Sequence, residues 1–513
     1  MSFPITILRA GAEVVTIKPD SGSNQQKTIM GDNMVTLQFS LNRAVAFKLG
    51  DFCSVYGENY FLNDVPTEKK VSTYRYEYTL TMRSEYFDLS KVQFMDYDTA
   101  ENVRSGVFSL MGNADTFMDL LIKNANRVGA GWTRGTVIGT SYQNMTFNSE
   151  SCLTVLGRLA QQFGTEYSIE GKKISLDKRQ VDTGVTLRQG KDKGLYDITR
   201  KNFSDSRVIT RLYAFGASTN LPPDYRNYAG RLLMTGGIQY LEKNTSKYGV
   251  IEAAKVWDDI YPHRTGKVTA VNAGNVFTFK DAAIDFNVND QLLPGVSAKV
   301  TFNTGELAGY TFDIQKFDNI AKEFTILKNK DEKAVDVPSA IQRPAIGDEY
   351  VLVDIKMPQT YIDAAEAALK TAAQDVLNAQ SEPLIEFDMT CDPAYFRKYN
   401  LTPNIGDLIW VVDANLEINK RTRVTSFTRE FEDEYTFKLT LSDGVAVQPV
   451  QELYNNTGDN SREISNINQR LNNRTSENNF VGPVVMADIP TITDTTGYNQ
   501  LFVDANGKVY KKV

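Results

Sequence analysis

Polar and apolar residues alternate through most of the first hundred positions. Met34 to Leu41 reads MVTLQFSL, and the run STYRYEYTLTM places Tyr74, Tyr76, Tyr78, Leu80 and Met82 on one side and Arg75, Glu77, Thr79 and Thr81 on the other. A period of two is the signature of strands with one face buried, so an antiparallel sheet is expected from Pro4 to about Leu110. Gly50-Asp51 and Gly57-Glu58 fall between short apolar runs and mark turns. The period then lengthens. Phe117, Leu120 and Leu121 within Asn113 to Asn126, and Cys152, Leu153, Leu156, Leu159, Ala160 and Phe163 within Ser149 to Phe163, recur at helical spacing. Ser149 is the expected N-cap of the second helix and Gly164 its stop, and EYSIEGKKISL reads as a hairpin turning at Glu170-Gly171.

Strands resume after Val181, and a loop with Pro222 and Pro223 interrupts them. Arg264 to about Pro344 is a second strand-rich block, long enough for a barrel or sandwich of its own. Thr360 to Gln380 predicts the strongest helix, with Ile362, Ala365, Ala368, Leu369, Ala372, Ala373, Val376 and Leu377 on a wide small-residue face. Strands return at Leu384 as a meander of about four. Gly-Asp precedes a short apolar strand three times, at Gly50-Asp51, Gly347-Asp348 and Gly406-Asp407, a weak hint that similar small sheets recur. Beyond Pro449 the chain is rich in Asn, Thr and Ser. Ile464, Ile467 and Leu471 form one short apolar seam there, and the final residues predict a hairpin at Asn506-Gly507.

The expected organisation is a mainly β multidomain chain with α+β modules: a β domain at 1-110, an α+β module at 111-190, a β linker region at 191-263, an inserted β domain at 264-346, a helix with a second β domain at 347-448, and a connector with a short helix and hairpin at 449-513. Its 513 residues exceed what one core organises. The balance of 56 Lys and Arg against 63 Asp and Glu, spread without a basic block, argues against general nucleic-acid binding and leaves a conduit that lets DNA pass. Cys53, Cys152 and Cys391 carry no CxxC pattern and read as buried thiols. The N-terminus lacks a signal pattern and no run is long enough to span a membrane as a helix, so a soluble chain without an export signal is expected.

Candidate chemistry is sparse. His263 is the lone histidine, which excludes a His-rich metal site and a serine triad. The adjacent acids Asp258 and Asp259, and Glu430, Glu432, Asp433 and Glu434, read as solvated turns, since glycosidic chemistry needs two carboxylates flanking a cleft. Neither a P-loop nor a GxGxxG turn is present. No catalytic, metal or cofactor site is assigned, and no cofactor is expected. The stripe from Tyr74 to Met82 suits a sheet core and an interface alike, with core packing preferred; Trp132, after Gly131, is the candidate exposed aromatic.

The series of early strands to Tyr86, the Asn113 to Asn126 helix with Gly131-Trp132, the Ser149 to Phe163 helix with its hairpin, and Thr210-Arg211-Leu212-Tyr213 leading to Gly216 resembles the tail hub family of phages and prophages. That family comprises the baseplate hub of contractile tails and the N-terminal part of tail-associated, or prophage tail endopeptidase, proteins. The resemblance covers roughly the first 265 residues and, less closely, the sheet from Leu384 to Asp443. It implies a structural homotrimer whose β domains form a pseudo-hexameric ring continuing the tail tube towards the tip. Tyr74 to Met82 and Leu408 to Ser442 would be ring sheets, and Ile464, Ile467 and Leu471 a trimer seam leading to a fibre or spike. Implied partners are distal tail or tail-tube proteins, fibre or spike proteins and the tape-measure protein, in a virion tail assembled in the host cytoplasm and passing DNA at genome ejection without specific binding. Many relatives continue into a peptidase, a lysozyme or a long fibre; no such segment follows here, which favours a non-enzymatic hub. Two alternatives remain: a carbohydrate-binding adhesin using Trp132, Trp257 or Trp410, and a glycoside or cell-wall hydrolase.

Overall fold

The computed structural model describes residues 4-97, 101-202, 208-329, 337-442 and 444, with the backbone of 501-503 and 509-511. The chain divides into two units, Met1–Glu452 and Leu453–Val513. In the second, Leu501–Val503 pairs antiparallel with Val509–Lys511, the strands expected around Asn506-Gly507. The seam residues Ile464, Ile467 and Leu471 lie outside the described residues.

The first unit is mainly β and is organised by one large sheet, whose strands alone are numbered here. Eight come from the N-terminal region: β1 (Ile5–Arg9), β2 (Ala12–Ile17), β3 (Asn24–Thr28), β4 (Asn33–Leu41), β5 (Phe52–Val55), β6 (Glu58–Leu62), β7 (Thr67–Ser72) and β8 (Arg75–Ser84). Six come from later: β9 (Val181–Gln189), β10 (Gly194–Asn202), β11 (Ile385–Cys391), β12 (Asp407–Asp413), β13 (Ile418–Glu430) and β14 (Phe437–Ser442). Their order is β2-β1-β5-β6-β8-β4-β3-β13-β12-β9-β10-β11-β14, with β7 beside β8 and β14 returning to β13. The last six therefore close into a barrel. Alternation does what the sequence implied in β4 and β8, where Val35, Leu37, Phe39, Tyr78, Leu80 and Met82 are buried in one core. The barrel has its own core, with Leu187, Phe387, Met389, Ile409, Val411, Leu439 and Leu441.

The expected meander from Leu384 is only partly one. β12, β13 and β14 follow as hairpins, but β11 lies between β10 and β14, with Ile198 opposite Met389 and Phe387 opposite Leu441. Numbering helices in chain order, α1 (Ala114–Val128), α2 (Cys152–Gln162), α3 (Thr245–Tyr248) and α4 (Gln359–Gln380) precede α5 (Pro393–Lys398), which separates β11 from β12. Asp392 caps α5 and Pro393 occupies its first turn, a sequence that ends the strand and starts the helix.

β13 is the joint of the large sheet. One edge of its first half pairs with β12, and Ser426 to Glu430 on the same edge pair with β3, Gln26 opposite Thr428. Two β units thus lie side by side in one continuous sheet.

These units share a ladder that the sequence barely discloses. Each Gly-Asp turn has the glycine at positive φ, 90° at Gly50 and 85° at Gly406, where a side chain is disfavoured. The Asp51 amide donates to the Lys48 carbonyl (3.0 Å) while its carboxylate accepts the Lys48 amide (2.8 Å), and Asp407 repeats this with Asn404 at 3.2 and 2.8 Å. Phe52 faces Phe61 as Leu408 faces Arg423. Phe61 faces Arg83 as Arg423 faces Ser442. Arg83 faces Met34 as Ser442 faces Glu386, and Met34 faces Gln26 as Glu386 faces Lys201. Hence β5-β6-β8-β4-β3 repeats as β12-β13-β14-β11-β10.

The third turn, with Gly347 at φ 100°, has the same bonds between Ala345 and Asp348 (3.1 and 2.8 Å) but serves another sheet. Strand Glu349–Val353 pairs with Lys299–Phe302 and Thr265–Lys267 in a seven-stranded sheet with its own core. The strand thus belongs with the block at 264-346 and not with 347-448, because the turn folds it back onto that sheet.

The remaining modules brace this frame. The Asn113 side chain caps α1 by accepting the Thr116 amide. α2 begins later than expected: Ser149 has φ 52°, and Ser151, in the extended region, accepts the Thr154 amide as N-cap. α4 packs on the sheet formed by Leu241–Glu242, Arg211–Gly216 and Glu252–Trp257 through Ile362, Ala365, Leu369, Ala373 and Leu377. Its buried stripe is narrower than the alanines suggested, since Ala368 is exposed.

Candidate assembly interface

Strands β7, β9 and β10 of the large sheet are mostly in water, and β7 and β10 bear on assembly. All six residues of β7 are exposed, and β7 pairs only with β8 among the described strands. At the tip Val71 is 46% and Tyr74 78% exposed. The second is β10. It meets β9 through two residue pairs only, Arg188 with Gly194 and Gln189 with Leu195, so the edge from Tyr196 onward pairs with no described strand. Tyr196 is 59% exposed and Asp197, Thr199, Arg200 and Lys201 are exposed. Open strand edges carry unpaired backbone donors and acceptors and are templates for another strand.

Both edges are held in place from behind. Lys70 lies 5.7 Å from the centre of the Tyr76 ring. Lys201 bridges Glu386 (2.7 Å) and Asp388 (2.8 Å) on β11, and these hydrogen bonds keep its ammonium pKa above the ordinary value. Arg200 donates to the Leu416 carbonyl at 2.9 Å.

The predicted ring-sheet stripe is divided by this geometry. Tyr78, Leu80 and Met82 are buried in the N-terminal core, Tyr76 is half-buried, and Tyr74 lies beyond β8 at the tip of the β7–β8 arm. Trp132 is a correction. It is 4% exposed, packed in the core of α1 and α2, and its backbone is held by Asn126 through two bonds of 2.9 Å. Asn126, six residues upstream, was the missed signal of a locked turn. Trp257 is half-buried, and Trp410 is 41% exposed with its indole N–H donating to Asn419 (2.7 Å).

Three acids of these runs are ion-paired, Asp258 with Arg231 (2.8 Å), Asp433 with Arg397 (2.5 Å) and Glu434 with Arg429 (3.4 Å), and Glu430 ends strand β13. Among the described residues no group of three or more His, Cys, Asp and Glu side chains could hold a metal ion. His263 is exposed, its Nδ1 2.8 Å from the Tyr261 carbonyl. The three thiols are buried, and burial pushes Cys53 and Cys152 up to about 12. No described helix is long and apolar enough to cross a membrane.

A cavity of about 100 Å³ lies where the N-terminal sheet, the α+β module and the barrel meet, lined by Lys27, Glu58, Glu166, Asp177 and Arg179 among others. Glu166 is committed there, accepting two 2.6 Å bonds from the buried Arg423 guanidinium. Burial, reinforced by the Glu166 charge, raises the Asp177 carboxyl pKa. The geometry is that of a joint between modules.

No protein-family model matches the chain, and no curated protein matches its sequence. Among solved structures, the chain is similar to the prophage tail protein gp18 of Listeria monocytogenes EGD-e, at 10% identity over 87% of this chain and 96% of that one, TM-score 0.47. It is also similar to the 43 kDa tail protein of prophage MuSo2 from Shewanella oneidensis, at 13% identity over 88% and 99%, TM-score 0.45. A tail protein of Neisseria meningitidis MC58 aligns at 8% identity over 86% and 97%, TM-score 0.45.

Proposed function

We propose that the chain is a structural component of a phage tail, a hub whose three copies close a ring that continues the tail tube and joins it to the tip or fibres. The observation that carries this reading is the repeated ladder. One chain contributes two β units side by side in a continuous sheet, so three copies supply six, the number needed to adapt a six-fold tube to a three-fold tip. The order of elements that resembles the hub family supports it, as do two strand edges left in water at β7 and β10.

In this reading the partners are tail-tube or distal tail proteins on one side, fibre or spike proteins on the other, and the tape-measure protein and DNA within the axis. The role is non-enzymatic, the setting is the virion tail after assembly in the host cytoplasm, and the seam at Ile464, Ile467 and Leu471 is assigned to the trimer axis. Light scattering over a range of concentrations tests the reading. Three times the chain mass is expected; a monomer at the highest concentration overturns a ring of this chain alone. Ile467→Asp with Leu471→Asp should weaken that trimer, and unchanged assembly removes the seam.

A further inference from the structure

The repeated ladder assigns a contact that a single chain leaves unmade. Within the chain, β3 of the N-terminal unit pairs antiparallel with the second half of β13, Gln26 opposite Thr428. The ladder makes Gln26 the counterpart of Lys201, and so β3 the counterpart of β10. It also gives Thr428 a counterpart. Thr428 faces Lys438 on β14, four residues before Ser442; four residues before Arg83 is Thr79, and Thr79 faces Thr67 on β7. The counterpart of the β3–β13 contact is therefore β10 against β7, with Lys201 opposite Thr67.

No such pairing exists among the described strands, and both strands have the required edge free. We infer that β7 of one copy adds antiparallel to β10 of the next, alternating with the β3–β13 joint inside each chain to close the ring. This rests on the ring reading above and deepens it by naming the two strands and their register.

The register can be read residue by residue. With Lys201 opposite Thr67, antiparallel pairing brings Arg200 opposite Glu68, Thr199 opposite Lys69 and Ile198 opposite Lys70; the one-to-one count ends there, because the registers of β7 and β10 with their own neighbours shift at Val71 and at Tyr196. Two features of this alignment were not used to obtain it. Arg200 meets an acid directly across the strands, and Asp197 has Lys69 as a diagonal neighbour on the same face, both favourable cross-strand arrangements. The occupant of each edge is thus a second copy of this chain, in a head-to-tail contact that closes after three steps.

The test is a disulfide trap in the full chain. Directly opposed antiparallel residues have Cα atoms about 4.5–5.5 Å apart, within disulfide reach. The native cysteines are buried and do not compete. Lys69→Cys with Thr199→Cys should give covalent dimers and trimers on oxidation, whereas Lys70→Cys with Thr199→Cys, whose side chains lie on opposite faces, should give few. Glu68→Arg should raise the concentration needed for assembly about fivefold, and adding Arg200→Glu should restore it. Light scattering on each sample separates the failures. A trimer that does not cross-link, or cross-links equally in both pairs, overturns the strand assignment and leaves the ring. A chain that stays monomeric at every concentration overturns a ring of this chain alone and the pairing with it.

Discussion

Asp51 and Asp348 occupy the same turn in two sheets, yet their environments predict opposite responses to acid. Each is buried and accepts the amide three residues upstream at 2.8 Å. Burial pulls the Asp51 pKa upward, but the Arg9 hydrogen bonds (2.7 and 2.8 Å) and the Lys48 amide outweigh it, and the net pKa is lowered. Asp348 forms no ion pair among the described residues; burial dominates, the Ala345 amide offsets part of it, Glu306 adds to it, and the net pKa is raised. A lowered folded pKa means that the Asp51 carboxylate stabilises the fold above its unfolded pKa and loses that contribution as the pH falls through the folded value. The raised pKa of Asp348 means that its charge opposes folding at neutral pH and that protonation relieves this as the pH falls.

The perturbation is Asp→Asn, which keeps an oxygen for the turn amide and removes the charge. At pH 7, Asp51→Asn loses a two-bond ion pair whose Arg9 side chain is 38% exposed, so the cost is discounted for solvent to about 1–2 kcal/mol. Asp348→Asn should be neutral or stabilising by less than about 1 kcal/mol. Native-state hydrogen exchange at Phe52–Leu62 and Glu349–Val353, from pH 7 to pH 3, reads the two sheets separately. The Asp51→Asn deficit should shrink towards zero in acid, and any gain from Asp348→Asn should vanish. Equal losses at pH 7, or an Asp51→Asn deficit that grows in acid, would refute the reasoning.

Three further substitutions probe the frame. Trp132→Ala should cost about 3–5 kcal/mol in thermal unfolding because it empties a buried site; a cost under about 1 kcal/mol would return the ring to the surface. Arg423→Met strands the nearly buried Glu166 and should cost about 3–5 kcal/mol, seen as faster proteolysis near 177-181, with Glu166→Leu added to it recovering most of the loss. Glu366→Gln weakens the acceptor of Tyr225 (2.7 Å) and Arg226 (2.9 Å), which holds Arg226, Asn227 and Tyr228 at φ 41°, 59° and 65°. A loss of about 2 kcal/mol and proteolysis confined to that loop are expected; unchanged cleavage there would show that the loop holds itself.

Much of the local structure was legible because it is local. The period of two in β4 and β8, the helical stripes of α1 and α2, and the Glu170-Gly171 turn need only neighbouring residues to declare themselves. The repeated ladder was not, although the Gly-Asp pairs were visible. Register is fixed by cross-strand contacts, and equivalent positions differ chemically: Phe61 answers to Arg423 and Met34 to Glu386. The barrel was hidden for a second reason, the long insertion between β10 and β11, which carries α4 and the seven-stranded sheet. The interface was least legible. Tyr74 to Met82 has one continuous alternation, yet its lower half is core and its tip is in water, and only the pairing partners of β8 decide where one ends. Ser149 and Trp132 misled for similar reasons, since a positive φ and a locked turn are set by the surrounding chain.

The central claim is that three chains present six equivalent β units around an open axis, and images of the assembled particle by electron microscopy test it most directly. End-on averages should show a ring of six inner lobes with three-fold outer features from a particle of three chains; a solid particle, or lobes unequal to twice the number of chains, would contradict it.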